Sequence, residues 1–163
     1  MSDAVGVGDI SVGSGRKIQA FVSSALGAFS RGEVEEARED FKEALRIVIR
    51  REFDNVSLVD EISVLLTKLG ETIGDSGDLP EGLIGPMVNL TIDLKNRLNR
   101  SELKSFERKI INGLSSLLIN DPEDANENFE DAKAILEGVS SDVSSEIAQM
   151  QTYIDQVKNF FGL

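Results

Sequence analysis

Apolar residues recur every three and four positions through most of the chain, the pattern of helices that bury one face. From Lys17 the stripe Ile18, Phe21, Val22, Ala25, Leu26 and Phe29 predicts a first helix, which Gly32 ends as a C-terminal cap residue. A second, from about Glu33, turns Val34, Ala37, Phe41, Ala44, Leu45 and Val48 inward. Its acids (Glu33, Glu35, Glu36, Glu39, Asp40) crowd the first half and its bases (Arg46, Arg50, Arg51) the second, the order the helix dipole favours. Ser57 is placed to cap a third helix with the stripe Val59, Ile62, Leu65, Leu66, Leu69 and Ile73. The segment from Gly74 to Pro86, dense in Gly, Pro and Asp, breaks the pattern. Pro86 suits the first turn of a following helix built on Val88, Leu90, Leu94 and Leu98. Ser101 is the expected cap of the next, which runs to about Ile119. Asp121-Pro122-Glu123 combines a capping side chain, a proline at the first position and an acid, a strong helix start. A last helix is expected from near Ser141 to the C-terminal KNFFGL, and no strand is expected in the body.

The pattern repeats. Displaced by about 88 residues, EVEEAREDFKEA (33–44) lies on DPEDANENFEDA (121–132), with Ala37, Phe41 and Ala44 on Ala125, Phe129 and Ala132. The same register carries Val22, Leu26 and Phe29 onto Ile110, Leu114 and Leu117. It also carries Val59, Ile62, Leu66, Leu69 and Ile73 onto Ile147, Met150, Ile154, Val157 and Phe161. One ungapped shift aligning three helices predicts an all-α bundle of about six helices, made by duplicating a three-helix unit. The units span 16–76 and 101–163, joined by a loop and helix over 77–100, and together form one domain.

The stretch ALGAFSRGEVEEAREDFKEALRI resembles a tetratricopeptide helical hairpin, with Ala28 and Phe29 before the Gly32 turn and Ala37, Phe41 and Ala44 after it. The second copy keeps Ala125, Phe129 and Ala132 but has Asn120-Asp121-Pro122 at the turn. The long repeat departs from that family's period of about 34. A three-helix unit containing such a hairpin is also similar to the microtubule-interacting and transport domain. That resemblance implies grooves between helices that accept a helical peptide.

Residues 1–15 lack the helical period and are read as a flexible tail, in which Val5, Val7, Ile10 and Val12 have the alternation to pair as a strand with a neighbour. Within it GVGDISVGSGRK invites comparison with a phosphate-binding loop. Gly8 and Gly13 have the spacing, but Ser14 occupies the position of the essential lysine, and too few residues precede Gly8 for a buried strand. Asp124, Asn126 and Asn128 imitate the start of a calcium loop, yet Phe129 stands at the required glycine and Ile135 at the closing glutamate.

Composition narrows the chemistry. The 163 residues contain neither Cys nor His, so disulfides, thiolate or imidazole metal sites and the commonest general base are all excluded. Carboxylate pairs such as Glu35/Glu39 and Glu123/Glu127 lie one turn apart on solvated faces, and a di-iron bundle needs histidines beside them. No catalytic residue, cofactor or metal ligand is expected. Asp3 near the start and the absence of a long apolar run argue for an intracellular, cytoplasmic chain.

The net charge of −12 opposes binding to nucleic acid or anionic membrane. Against it, Arg97, Arg100, Lys104 and Arg108 form one basic stripe if the helices around them run on nearly continuously. These four, with Phe160 and Phe161 near the C-terminus, are the candidate partner-binding residues. The expected function is a non-enzymatic protein–protein interaction module presenting interhelix grooves. The alternative is a subunit of a larger assembly, connected through the N-terminal tail and KNFFGL.

Overall fold

A computed structural model describes residues 7–50 and 84–163, and side-chain environments within 16–49 and 86–163. Six α-helices occupy these residues: α1 (Val7–Ser30), α2 (Val34–Arg50), α3 (Ile84–Asp93), α4 (Arg100–Leu118), α5 (Pro122–Glu137) and α6 (Ser144–Phe161). A single 3-10 turn (Leu94–Asn96) follows α3, and no strand occurs among the described residues. The fold is an all-α bundle. The third helix expected over 57–73 and the break over 74–83 lie outside the described residues.

The core is drawn from every helix. Ile18, Ala25, Phe41, Leu45, Met87, Leu94, Phe106, Leu114, Phe129 and Ile154 are all fully buried. Among the described positions expected to face inward, Val34 is the exposed one. It opens α2 beside an exposed turn and remains 39% exposed.

Several boundaries differ from the sequence reading. α1 begins at Val7, so residues 7–15 are helical rather than a tail or strand. The glycines there cost helix stability, but a helix already nucleated by the buried face from Ile18 onward propagates by one hydrogen bond per added residue. α4 is capped by Asn99 and not by Ser101. The Asn99 side chain accepts from the Glu102 amide at 2.8 Å, and Glu102 accepts from the Asn99 amide at 3.0 Å. That reciprocal box satisfies two otherwise orphaned donors, more than a lone serine can. α6 starts at Ser144, three residues after the Ser141 expected, because Asp142 folds into a turn of its own and Val143 packs inward.

In this turn Asp142 Oδ1 accepts from the Ser144 hydroxyl at 2.8 Å and the Ser144 amide at 3.2 Å. These two bonds, helped by the Arg97 charge and opposed by slight desolvation, hold the Asp142 carboxyl below its ordinary value of 3.8. A carboxyl whose pKa is lower in the folded state stabilises that state above the unfolded pKa. The contribution disappears as pH falls through the folded pKa. Ser144→Ala should therefore raise the Asp142 titration midpoint in a carbon-detected NMR experiment. An unmoved midpoint would show that the hydroxyl bond does not hold the carboxylate.

The hairpins α1–α2 and α4–α5 turn through the same backbone geometry. Gly32 and Asn120 occupy the left-handed region, with φ of 81° and 63°. Glu33 N donates to Ala28 O at 2.9 Å and Gly32 N to Phe29 O at 3.0 Å. In the second hairpin Asp121 N donates to Ser116 O at 2.8 Å and Asn120 N to Leu117 O at 3.1 Å. Both pairs form the Schellman arrangement, and the two sets stand in the repeat register. Ala37/Ala125, Phe41/Phe129 and Ala44/Ala132 are fully buried in both copies. The two hairpins thus match one another in cap geometry and burial as well as in sequence pattern.

The hairpins dock through α2 and α4, while α6 closes on α5 and α3 lies across α2, α4 and α6. Arg38 of α2 reaches the start of α5, within 3.4 Å of both Asp121 and Asp124. No helix among the described residues is long and apolar enough to cross a membrane.

Candidate functional site

The expected four-residue basic stripe is broken. The 3-10 turn and the extended Asn99 separate Arg97 from α4, so its side chain does not continue the helical face. Arg97 instead binds the beginning of α6, donating to Glu146 at 2.5 Å through Nη1 and to the Asp142 carbonyl through Nη2. Glu146 is largely buried, and this ion pair supplies its counter-charge. Arg97 is an internal clasp. Arg100, Lys104 and Arg108 remain one turn apart along α4, and all three are exposed.

Lys104 and Arg108 lead into a pocket between the two hairpins. Its volume is about 200 Å³, and it is lined by Arg46 from α2 and by Ser101, Lys104, Ser105, Arg108, Ile111 and Asn112 from α4. The α4 residues fall at spacings of three and four, which place them on one face of the helix. Phe106, Ile110 and Leu114 of the same helix are buried in the core. The first turn of α4 lies at this end of the groove, where the dipole favours negative charge.

Charge in the pocket is unbalanced. Arg46 meets Glu43 at 2.7 Å on its own helix. Lys104 and Arg108 ion-pair with no acid among the described residues. By contrast, Lys42 pairs with Glu39, Lys109 with Asp131 and Lys158 with Glu130. In a chain of net charge −12, two unengaged cations beside a third within one concavity form a local positive site. Arg100 is exposed on α4 but does not line the pocket.

Arg46, Ser101, Ser105 and Asn112 were not among the candidate residues drawn from sequence. The α4 members share the period of Lys104 and Arg108 and were accessible to that pattern. Arg46 was not, since nothing local reveals that α2 packs beside α4.

The remaining candidates separate. Phe160 is 42% exposed, while Phe161 rests against the core, and their rings meet edge to face with centroids 4.9 Å apart. Asp124, Asn126 and Asn128 lie within α5, where the Asp124 carboxylate accepts from Ser116 at 2.5 Å and from Asn128 at 3.2 Å. The first bond joins the hairpin helices and the second lies within α5, so neither shapes a cation loop. The glycine-rich stretch from Val7 is α-helical, so it does not form a phosphate-binding loop. No group of His, Cys, Asp and Glu suited to a metal ion occurs among the described residues. No family model matches the chain, and comparison with curated proteins and with solved structures finds no match.

Proposed function

We propose that this protein is a non-enzymatic interaction module that receives an acidic segment of a partner protein in the groove between α2 and α4. The observation that carries this reading is the convergence of Arg46, Lys104 and Arg108 on one interhelix pocket in a strongly acidic chain. Such contrast orients and speeds encounter with a complementary surface, whereas the acidic remainder repels polyanions such as nucleic acid. The interhelix location agrees with the groove binding implied by the resemblance to microtubule-interacting and transport domains.

Charge reversal tests it. The Lys104→Glu/Arg108→Glu double variant should keep the circular dichroism spectrum of the parent, because both side chains are exposed. It should lose association with protein partners, and the association of the unmodified chain should weaken with added salt. Partner association unchanged by the double substitution would refute docking at this groove. A mobility shift with random-sequence DNA at about 0.15 M salt, where screening reaches about 8 Å, would point to nucleic acid instead. The alternative of an assembly subunit rests on the exposed C-terminal Phe160 and Leu163. Concentration-dependent light scattering lost on Phe160→Ser would favour that alternative.

A further inference from the structure

We infer that the pocket between α2 and α4 receives one phosphoryl group, presented as phosphoserine or phosphothreonine on the docking partner. This inference rests on the docking reading above and specifies what the groove recognises. Its basis is the mixture of donors. Around a volume of about 200 Å³ stand two guanidinium groups, one ammonium, two hydroxyls and one amide, from Arg46, Arg108, Lys104, Ser101, Ser105 and Asn112.

Most of these donors are free to turn to a ligand. Arg46 donates to Glu43, but Lys104, Arg108, Ser101, Ser105 and the Asn112 amide have no side-chain hydrogen bond or ion pair among the described residues. Elsewhere in the two hairpins, Ser24, Ser116 and Asn128 are each bonded to a carboxylate. Five donors without a side-chain partner thus share the lining of one pocket.

The anion's shape follows from the donor count. A carboxylate offers two oxygens in one plane and a single charge. A phosphoryl ester offers three terminal oxygens and nearly two charges at neutral pH, its second pKa being about 6. Guanidinium forks match phosphate oxygens in pairs, lysine adds a point charge, and hydroxyl and amide donors complete a tetrahedral shell. Size limits the alternatives. Drug-sized ligands, a class that includes nucleotides, occupy pockets of about 300–1,000 Å³, so this one suits a single phosphoryl group with little attached. A membrane or a nucleic acid would bring many anions against a chain of net charge −12, whereas one phosphorylated side chain brings its charge only to the pocket.

The test uses the full chain, labelled with ¹⁵N and titrated with inorganic phosphate and with acetate at matched ionic strength. Phosphate should give saturable amide shifts centred on Ser101 to Asn112 and around Arg46. Its affinity should exceed that of acetate by about tenfold or more, since it engages more charge-assisted bonds. Lys104→Gln and Arg108→Gln should each weaken phosphate by about tenfold, with unchanged amide dispersion elsewhere as the control for folding. Lowering the pH below the second phosphate pKa should weaken binding, because the monoanion carries half the charge. Equal affinity for phosphate and acetate, or phosphate binding indifferent to both variants, overturns the inference.

A second arm identifies the carrier. Degenerate peptides with a fixed phosphoserine should bind better than the same peptides with serine or glutamate, and Arg108→Gln should remove the difference. Phosphate binding without this preference would assign the pocket to the free ion and overturn the inference. Partner capture that survives phosphatase treatment but is lost with Lys104→Glu/Arg108→Glu would sink the phosphoryl inference and leave the docking reading standing. Phosphate bound at the pocket with partner capture indifferent to that double substitution would instead sink the docking reading, and with it the phosphorylated carrier.

Discussion

Phe129→Ala is expected to lower the unfolding free energy by about 3–5 kcal/mol, the range for truncating a fully buried phenylalanine. The ring is 0% exposed and lies against α4 where that helix carries Gly113, so its removal leaves a void between the two helices of the second hairpin. Close packing of the ring on the α4 backbone at Gly113 limits collapse into that space, which places the cost above the transfer free energy of the ring alone. Set against a typical domain stability of about 5–15 kcal/mol, the loss is large enough to move a urea midpoint far outside experimental error. Phe41 occupies the same place in the first hairpin and is likewise 0% exposed. Phe41→Ala should therefore cost a similar amount. A neutral result at either position would contradict its placement in a hairpin core. Widely unequal losses would mean the two hairpins share a backbone pattern without sharing packing.

Gly113→Ala is expected to be destabilising, although alanine is the better helix former by about 1 kcal/mol. A Cβ atom there would lie 2.3 Å from Phe129 Cε1 and 2.7 Å from Cδ1. Contacts that short force the ring from its position or drive α4 and α5 apart. Overpacking of this kind costs typically about 1–3 kcal/mol, which exceeds the gain in helix propensity. The two positions touch, so their effects should not add. In a Phe129→Leu background the alanine should do less harm, and a double-mutant cycle by urea denaturation measures the difference. A Gly113→Ala protein more stable than its parent would show that the ring swings clear at little cost. The corresponding position of the first hairpin is Ala25, fully buried, so the two copies divide helix and ring volume differently.

Phe129 was legible because aromatic and small residues at helical spacing mark one face without reference to any other element. The same holds for Ala37, Phe41 and Ala44, and for the Asp121 cap with Pro122 behind it, all of which depend on neighbours within a few residues. Asn99 was missed as a cap, since Asn99 and Ser101 both have capping side chains and the choice turned on the reciprocal bond with Glu102. The start of α1 was missed for a related reason. Glycines argue locally against a helix, and the hydrogen-bond ladder continued from a packed neighbour overrides them.

Sequence by itself determined the helical class, the repeat register and the inward residues of the hairpins, because the period of a helix writes its buried face directly into the order of side chains. It determined too that chemistry by cysteine or histidine is closed to this chain. Tertiary structure alone decided which of the basic residues stand together. Arg97, adjacent to the others in sequence, was drawn away by the charge of Glu146 near the start of α6. Arg46, more than fifty residues from Lys104 and Arg108, was brought beside them by the docking of α2 on α4. Charge acts through space and is indifferent to chain order, so a basic pocket built from two helices exists only once their packing is set.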